Sequence, residues 1–589
     1  MRDDTGLFGR EGGIADPVRF EVIRNALTSV TEEMATSLRR SAYSTNIRTR
    51  QDFSCAFFDR HLRVTAQAFT QPVHLGSFVE LVPRAVREYG IDRLSPGDVI
   101  VVNDPYGGGS HLNDITMISP AFAQGALIGY VANLAHHTDV GGGAPASIGA
   151  FREVFQEGVI VPAVRMMSEG VLIDDVFRLI LAQMRSKRET AGDLRAQIAA
   201  NVTGHRRLGE VFDRFGADAV NADIDALIAY TRDRTALDLA KFPQGSYSAE
   251  GFVDNDGVSD APVRLRARVV IDPQAILFDL AGSDPQRRAP VNSTFAQTFS
   301  ACAYAAKCLI DQDIPVNHGF YECVRVSAPE GSVTNCRAPA PVVGGWETQT
   351  RLVDVIFRAL APVMGDRTVA GTKAMMCQAG FGGIDPRTGE YYCFYEALGG
   401  GYGARRERDG PDAVQAHGQN TENAPIEEVE LNYPVRIARY ELIADSDGAG
   451  RRRGGLGLRR DYQFVDHEVS FTILADRDRE GPWGLSGGRS GRPAEYWLSA
   501  GETARRLGSK TTVDVPAGGV VSFRTCGGGG FGPPEQRDPE LVLADVRHGK
   551  VSIERAREVY RVIVDPHTGA LDAEATRRLR AAAGGGGNR

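Results

Sequence analysis

Apolar residues recur at three- and four-residue steps early in the chain: Phe20, Ile23, Leu27, Val30, Met34 and Leu38. That period marks a helix with one buried face. Asp16 followed by Pro17 supplies an N-cap and a proline at the first helical position. A second helical pattern runs near residues 78–89, where Pro83 leaves its start open. Short apolar runs at residues 55–58, 98–103 (DVIVVN) and 126–134 (ALIGYVANL) read as strands.

From about residue 174 to 241 the pattern is helical and rich in charge. From about residue 245 it returns to strand alternation, as in VRLRARVVI and AILFDLAGS. Helices are predicted near residues 296–310 and 350–360, short strands with glycine turns over 391–524, and a last helix at 551–560. The class is α+β, a large multi-layer mixed fold of two β-containing halves separated by a helical segment. Its predicted regions are 16–170 (α/β), 171–244 (helical), 245–535 (β-rich), 536–565 (helical) and a partly disordered tail at 566–589.

Composition narrows the function classes. The 67 basic residues against 75 acidic ones give a net charge of −8. That balance argues against nucleic-acid or anionic-membrane partners. The start, MRDDTGLFGREGG, lacks the apolar core of a signal peptide. No apolar run approaches the roughly 20 residues that cross a bilayer. The eight cysteines contain no C-x-x-C pair and read as reduced thiols, so a cytoplasmic protein is expected. Glycine is abundant, 67 residues, and clusters in runs. GGGS at 107–110 lacks the G-K-[ST] ending of a phosphate loop, and GGGYG at 399–403 and GGGGFG at 527–532 do not fit a dinucleotide fingerprint. DVGGG at 139–143 has the look of an aspartate-glycine phosphate loop, but two histidines precede it and Ala-Pro follows. These runs read as tight turns and close backbone packing.

The densest chemistry lies between Asn103 and Gly143. His111 and Asp114 form an H-x-x-D pair; His136, His137 and Asp139 follow a strand of the right length to return to the same end. Two imidazoles and a carboxylate around one point suit Zn²⁺, Mn²⁺ or Fe²⁺ rather than Ca²⁺ or Mg²⁺. Such a metal would activate a bound water near neutral pH. Asp52 adds a second carboxylate if its strand lies alongside. Only one of His136 and His137 points to a given face, because successive strand side chains alternate. The same residues would equally form a hydrogen-bonded polar cluster at strand ends, and the residues alone leave both readings open. GGWETQTR at 344–351 and GQNTENAPIEEVE at 418–430 read either as pocket lining or as solvated turns.

Several ordered blocks resemble the hydantoinase B / 5-oxoprolinase family, which includes the acetone carboxylase alpha subunit and ATP-dependent lactamases. They include DFSCAFFD (52–59), QPVHLGS (71–77), GDVIVVNDPYGGGSHLNDIT (97–116), VANLAHHTDVGG (131–142), QNTENAPIEEVELNYPVRI (419–437) and CGGGGFGPPEQRDPELVLADV (526–546). The resemblance implies a two-subunit machine. A hydantoinase A-like ATPase subunit would bind ATP and Mg²⁺ and phosphorylate the carbonyl oxygen of a cyclic amide such as a hydantoin, 5-oxoproline or another lactam. This chain would hold one divalent metal, Zn or Mn first and Fe as an alternative, on Asp52, His111, Asp114 and His136, with His137 and Asp139 orienting those ligands. A heterotetramer or larger assembly is implied. The same resemblance admits an acetone- or acetophenone-type carboxylase subunit, and a scaffold without chemistry of its own remains the third reading.

Overall fold

The structure, a computed structural model, describes Ile14 and residues 16–584. It is an α+β fold of several layers. The first sheet has seven strands: β1 (Phe53–Asp59), β2 (Val64–Gln67), β3 (Val99–Val102), β4 (Asp114–Ala123), β5 (Ala126–His136), β6 (Val164–Ser168) and β7 (Val171–Leu172). Their spatial order is β2-β1-β5-β4-β3-β6-β7, and every pairing is antiparallel.

Both faces of this sheet are covered, and side-chain alternation divides the core. On one face Phe53, Cys55 and Phe57 pack with helix Pro17–Ser41 and with Ala200, Leu208 and Ile224 of helices Lys187–Phe215 and Ala217–Leu239. On the other face Ala56 and Phe58 pack with helix Pro72–Tyr89. Behind that helix lie helices Phe295–Leu309 and Gly345–Leu360 and a four-stranded sheet. This second sheet has the order β11-β10-β9-β8: β8 (Gly245–Val253), β9 (Val263–Ile271), β10 (Ile276–Asp279) and β11 (Val324–Ser327). The helical segment therefore lies between the two β-containing halves in sequence and folds back onto the first sheet in space.

Helix Pro72–Tyr89 starts six residues ahead of the run read from periodicity, with Pro72 in its first turn, and continues through Pro83. Helix Gly345–Leu360 likewise begins earlier than predicted, taking in Trp346 and Glu347.

The remaining strands are β12 (Gln378–Ile384), β13 (Tyr391–Ala397), β14 (Arg436–Leu442), β15 (Leu458–Gln463), β16 (Val469–Leu474), β17 (Glu495–Ala500), β18 (Thr503–Leu507), β19 (Lys510–Val515) and β20 (Val520–Arg524). They form sheets β13-β12-β16-β19 and β14-β15-β20-β17-β18. An aromatic core of Phe381, Tyr462, Phe471, Tyr496 and Phe523 joins them. Beside it the glycine runs do pack backbone against backbone. Gly528 donates to the Gly455 carbonyl at 2.9 Å and accepts from Gly448 at 2.7 Å, and Gly529 donates to Gly371 at 2.8 Å.

In the arginine-rich stretch at 451–460, Arg453 and Arg460 are buried. Arg453 pairs with Asp412 at 2.9 Å and Asp545 at 3.2 Å, and Arg460 with Glu396 at 3.1 Å, carboxylates that offset the cost of burying these guanidinium groups. Within the region predicted as the tail, residues 566–589, helix Ala573–Gly584 forms. Asp572 accepts from Ala575 N–H at 2.9 Å and the Thr576 hydroxyl accepts from Ile563 N–H at 2.9 Å, so local capping anchors it. Residues 585–589 lie outside the described ones.

Candidate metal centre

Three neighbouring strands of the first sheet bring their chemistry to one end. Asp114 opens β4 and His136 closes β5, and the two are direct cross-strand partners. Their side chains therefore share a face. Asp52 immediately precedes β1, and its carbonyl accepts from the His136 N–H at 3.0 Å. His111 reaches the same point from the loop before β4. Its Nε2 is 3.3 Å from Asp114 Oδ2, and His136 Nδ1 is 3.2 Å from Asp114 Oδ1. One ligand atom from each of His111, Asp114 and His136 lies within 4.8 Å of the others. The rings of His111 and His136 are 4.9 Å apart.

One member of this group was not singled out from sequence. His74, in the first turn of helix Pro72–Tyr89, places Nε2 at 3.7 Å from Asp52 Oδ1 and 3.9 Å from Asp114 Oδ1. The only sequence signal was its place in the QPVHLGS block. The second half of the chain closes the site. Trp346 meets the rings of both His74 and His111 edge-on at 6.0 and 5.9 Å, and Tyr395 of β13 stacks on His136 at 4.6 Å. Trp346 belongs to the GGWETQTR stretch, which thus lines the site rather than a solvated turn.

Asp52, His74, His111, Asp114 and His136 are all buried. Burial, the largest influence, works against the Asp114 carboxylate, yet His111 and then His74 outweigh it and hold its pKa well below the ordinary value. Burial pushes the His74 imidazole down, against the opposing pull of Asp114 and Asp52. Both ring nitrogens of His111 and Nε2 of His136 have no hydrogen-bond partner although buried. Buried polar atoms are ordinarily paired. Orphaned imidazole nitrogens facing an ionised carboxylate are the donor set that a borderline transition metal takes. The residues present fit a divalent ion.

His137 and Asp139 do not join the cluster. Strand alternation turns the His137 ring to the opposite face, where its Nε2–H donates to Gln197 Oε1 at 2.9 Å. Asp139 accepts from Arg185 Nη1 at 2.8 Å and from the Gly141 N–H at 3.1 Å. The orienting role expected for these two side chains falls elsewhere. What His137 gives the site is backbone: its N–H donates to the Asn113 carbonyl at 2.8 Å and its carbonyl accepts from Asn113 Nδ2 at 3.0 Å, which fixes the loop between His111 and Asp114. Changing His137 to leucine is accordingly expected to leave bound metal unchanged and to cost about 1–3 kcal/mol of stability, since it strands Gln197. Metal analysis and a melting curve on the same preparation check both halves of that expectation.

The hydantoinase B/oxoprolinase family model matches residues 16–534. The chain belongs to this family. It is 38% identical over 572 residues to an uncharacterized protein of Methanocaldococcus jannaschii, covering 96% of this chain and 100% of that one. The caprolactamase subunit beta of Pseudomonas jessenii is 32% identical over 585 residues, covering 96% and 99%. The solved structure of ATP-dependent caprolactamase from the same organism superimposes with a TM-score of 0.89 at 30% identity, covering 97% of this chain and 100% of that one. The 5-oxoprolinase 1 of Arabidopsis thaliana is 33% identical over 88% of this chain but only 42% of its own length. What corresponds to this family member there is part of a longer polypeptide.

Proposed function

We propose that this chain is the metal-holding subunit of an ATP-dependent hydrolase that opens a cyclic amide. The observation that carries the reading is the buried group of His111, Asp114 and His136 with Asp52 alongside, both His111 nitrogens and His136 Nε2 unpartnered, in a chain whose relatives are named for oxoproline and caprolactam hydrolysis. Asp52, His111, Asp114 and His136 would hold one divalent ion, Zn²⁺ or Mn²⁺ by donor type, with Fe²⁺ admitted by the same set. Bound there, the ion supplies a Lewis acid and a water of lowered pKa.

The chain's own residues do the rest. Trp346 and Tyr395 wall the ligands from bulk solvent, which strengthens electrostatic interactions inside the site. Asp114 remains ionised beside the imidazoles. His74 presents Nε2 to both carboxylates, 3.7 Å from Asp52 Oδ1 and 3.9 Å from Asp114 Oδ1. Amide resonance makes direct hydrolysis slow, so the phosphorylation of the carbonyl oxygen is assigned to a hydantoinase A-like partner carrying ATP and Mg²⁺. A heteromer with that partner follows from this division of labour, and the family resemblance implies that it holds four or more subunits.

The test is reconstitution with the ATPase-like partner, supplied with ATP and a panel of hydantoins, 5-oxoproline and larger lactams. Ring opening that depends on both ATP and a divalent ion supports the proposal. Turnover that requires bicarbonate and incorporates it makes the complex a carboxylase. Full activity after removal of the metal defeats the reading.

A further inference from the structure

The acid at position 52 is aimed by residues that the first half of the chain does not anchor alone. Gln51, just before it, sits in the left-handed region with φ 58°, a conformation that costs a non-glycine residue about 1–3 kcal/mol and persists where surroundings over-determine it. Those surroundings come from Asn46 and Arg50. Asn46 Nδ2 donates to the His136 carbonyl at 2.7 Å and lies 3.4 Å from Asp52 Oδ2. Arg50 is fully buried at 0% exposure. Its Nη1 donates to Asn46 Oδ1 at 2.5 Å and to the Tyr395 carbonyl at 3.2 Å, and its Nε donates to the Glu422 carbonyl at 3.1 Å. Tyr395 is the residue whose ring stacks on His136.

The stretch at 417–428, a loop running into helix Ile426–Asn432, fastens the same segment along its length. Glu428 Oε1 accepts from the Thr45 and Thr49 hydroxyls at 3.0 and 2.8 Å, and Glu422 accepts from Gln51 Nε2 at 3.0 Å. It also holds the turn that carries His74. Val73 N–H donates to the Gly418 carbonyl at 3.2 Å, and Asn420 N–H donates to Gln71 Oε1 at 2.8 Å. This is the QNTENAP stretch, whose pocket-or-turn reading gives way to a buckle. Burying a guanidinium costs several kcal/mol, and this one serves carbonyl and carboxamide oxygens that join three separate pieces of chain.

We infer that Asn46 and Arg50, held by the 417–428 stretch, are positioning residues for the Asp52 and His136 ligands, so that metal affinity is set from the second half of the chain. The inference rests on the metal reading above. Neither residue touches the ion; each acts through the ligand it holds. Outer residues of this kind are worth about 10–100-fold in metal affinity.

The experiment uses the full chain stripped with chelator and titrated with Zn²⁺ or Mn²⁺ alone. Asn46→Ala should weaken binding to the folded protein by about 10–100-fold, and because it strands the Arg50 guanidinium and the His136 carbonyl it should also cost about 1–3 kcal/mol in metal-free melting. Arg50→Lys, which keeps the charge but loses the planar fork, should weaken binding in the same direction. Hydrogen exchange of metal-free protein gives a reading independent of the ion: peptides covering residues 46–54 and 130–137 should exchange faster in Asn46→Ala. Parent-like affinity in Asn46→Ala and Arg50→Lys overturns the inference. Should the parent bind no ion, exchange decides alone: faster local exchange keeps the positioning role and removes the metal reading, and unchanged exchange removes both.

Discussion

Replacing His111 with alanine is expected to strip the chain of its divalent ion and to lower turnover of the assembled enzyme by more than about 100-fold, the upper range for losing a residue that merely supports a ligand. The protein should remain folded. Asp114 loses the His111 ring 3.3 Å from its carboxylate but keeps the Ser110 hydroxyl and His136 Nδ1 beside it. The cost is that of a small cavity, about 1–3 kcal/mol. Elemental analysis, turnover with the partner and a melting curve separate the three effects. An alanine variant that retains metal and rate would remove His111 from the ligand set.

The second large effect lies in the glycine layers of the second half. Gly528→Ala is expected to destabilise the second half of the chain by about 3 kcal/mol or more, with loss of soluble protein as the extreme. A methyl group there would land on the Tyr402 carbonyl, and neither backbone can retreat because each is hydrogen-bonded into the glycine layers. Gly209→Ala is the contrast. Position 209 lies within helix Lys187–Phe215 with open space around it, so alanine should stabilise by about 0.5–1 kcal/mol. Thermal melting of the two variants against the parent checks the pair. Equal melting temperatures would contradict the packing account.

Much of the site is local enough to be read along the chain. H-x-x-D places His111 and Asp114 together at the mouth of a strand, and a hairpin of the right length brings His136 opposite Asp114. Alternation along a strand already says that His136 and His137 part company, and they do. The family resemblance placed Asp52 with them and also lent His137 and Asp139 a role that their side chains do not reach. His74 and Tyr395 escape sequence reasoning, and Trp346 enters only within a stretch read as pocket lining or turn, for a physical reason. Each sits on an element whose own pattern is explained by core packing: His74 reaches the cluster as helix Pro72–Tyr89 packs on the first sheet, and Trp346 and Tyr395 reach it only when the second half docks. Glycine runs behave in the opposite way. Their abundance announced close backbone approach, and the structure shows which strands approach.

Anomalous diffraction from crystals of the chain grown with Zn²⁺ or Mn²⁺ tests the central claim most directly. The account predicts one dominant peak among Asp52, His111, Asp114 and His136. A strong peak elsewhere, with those four side chains bound only to one another, would contradict it.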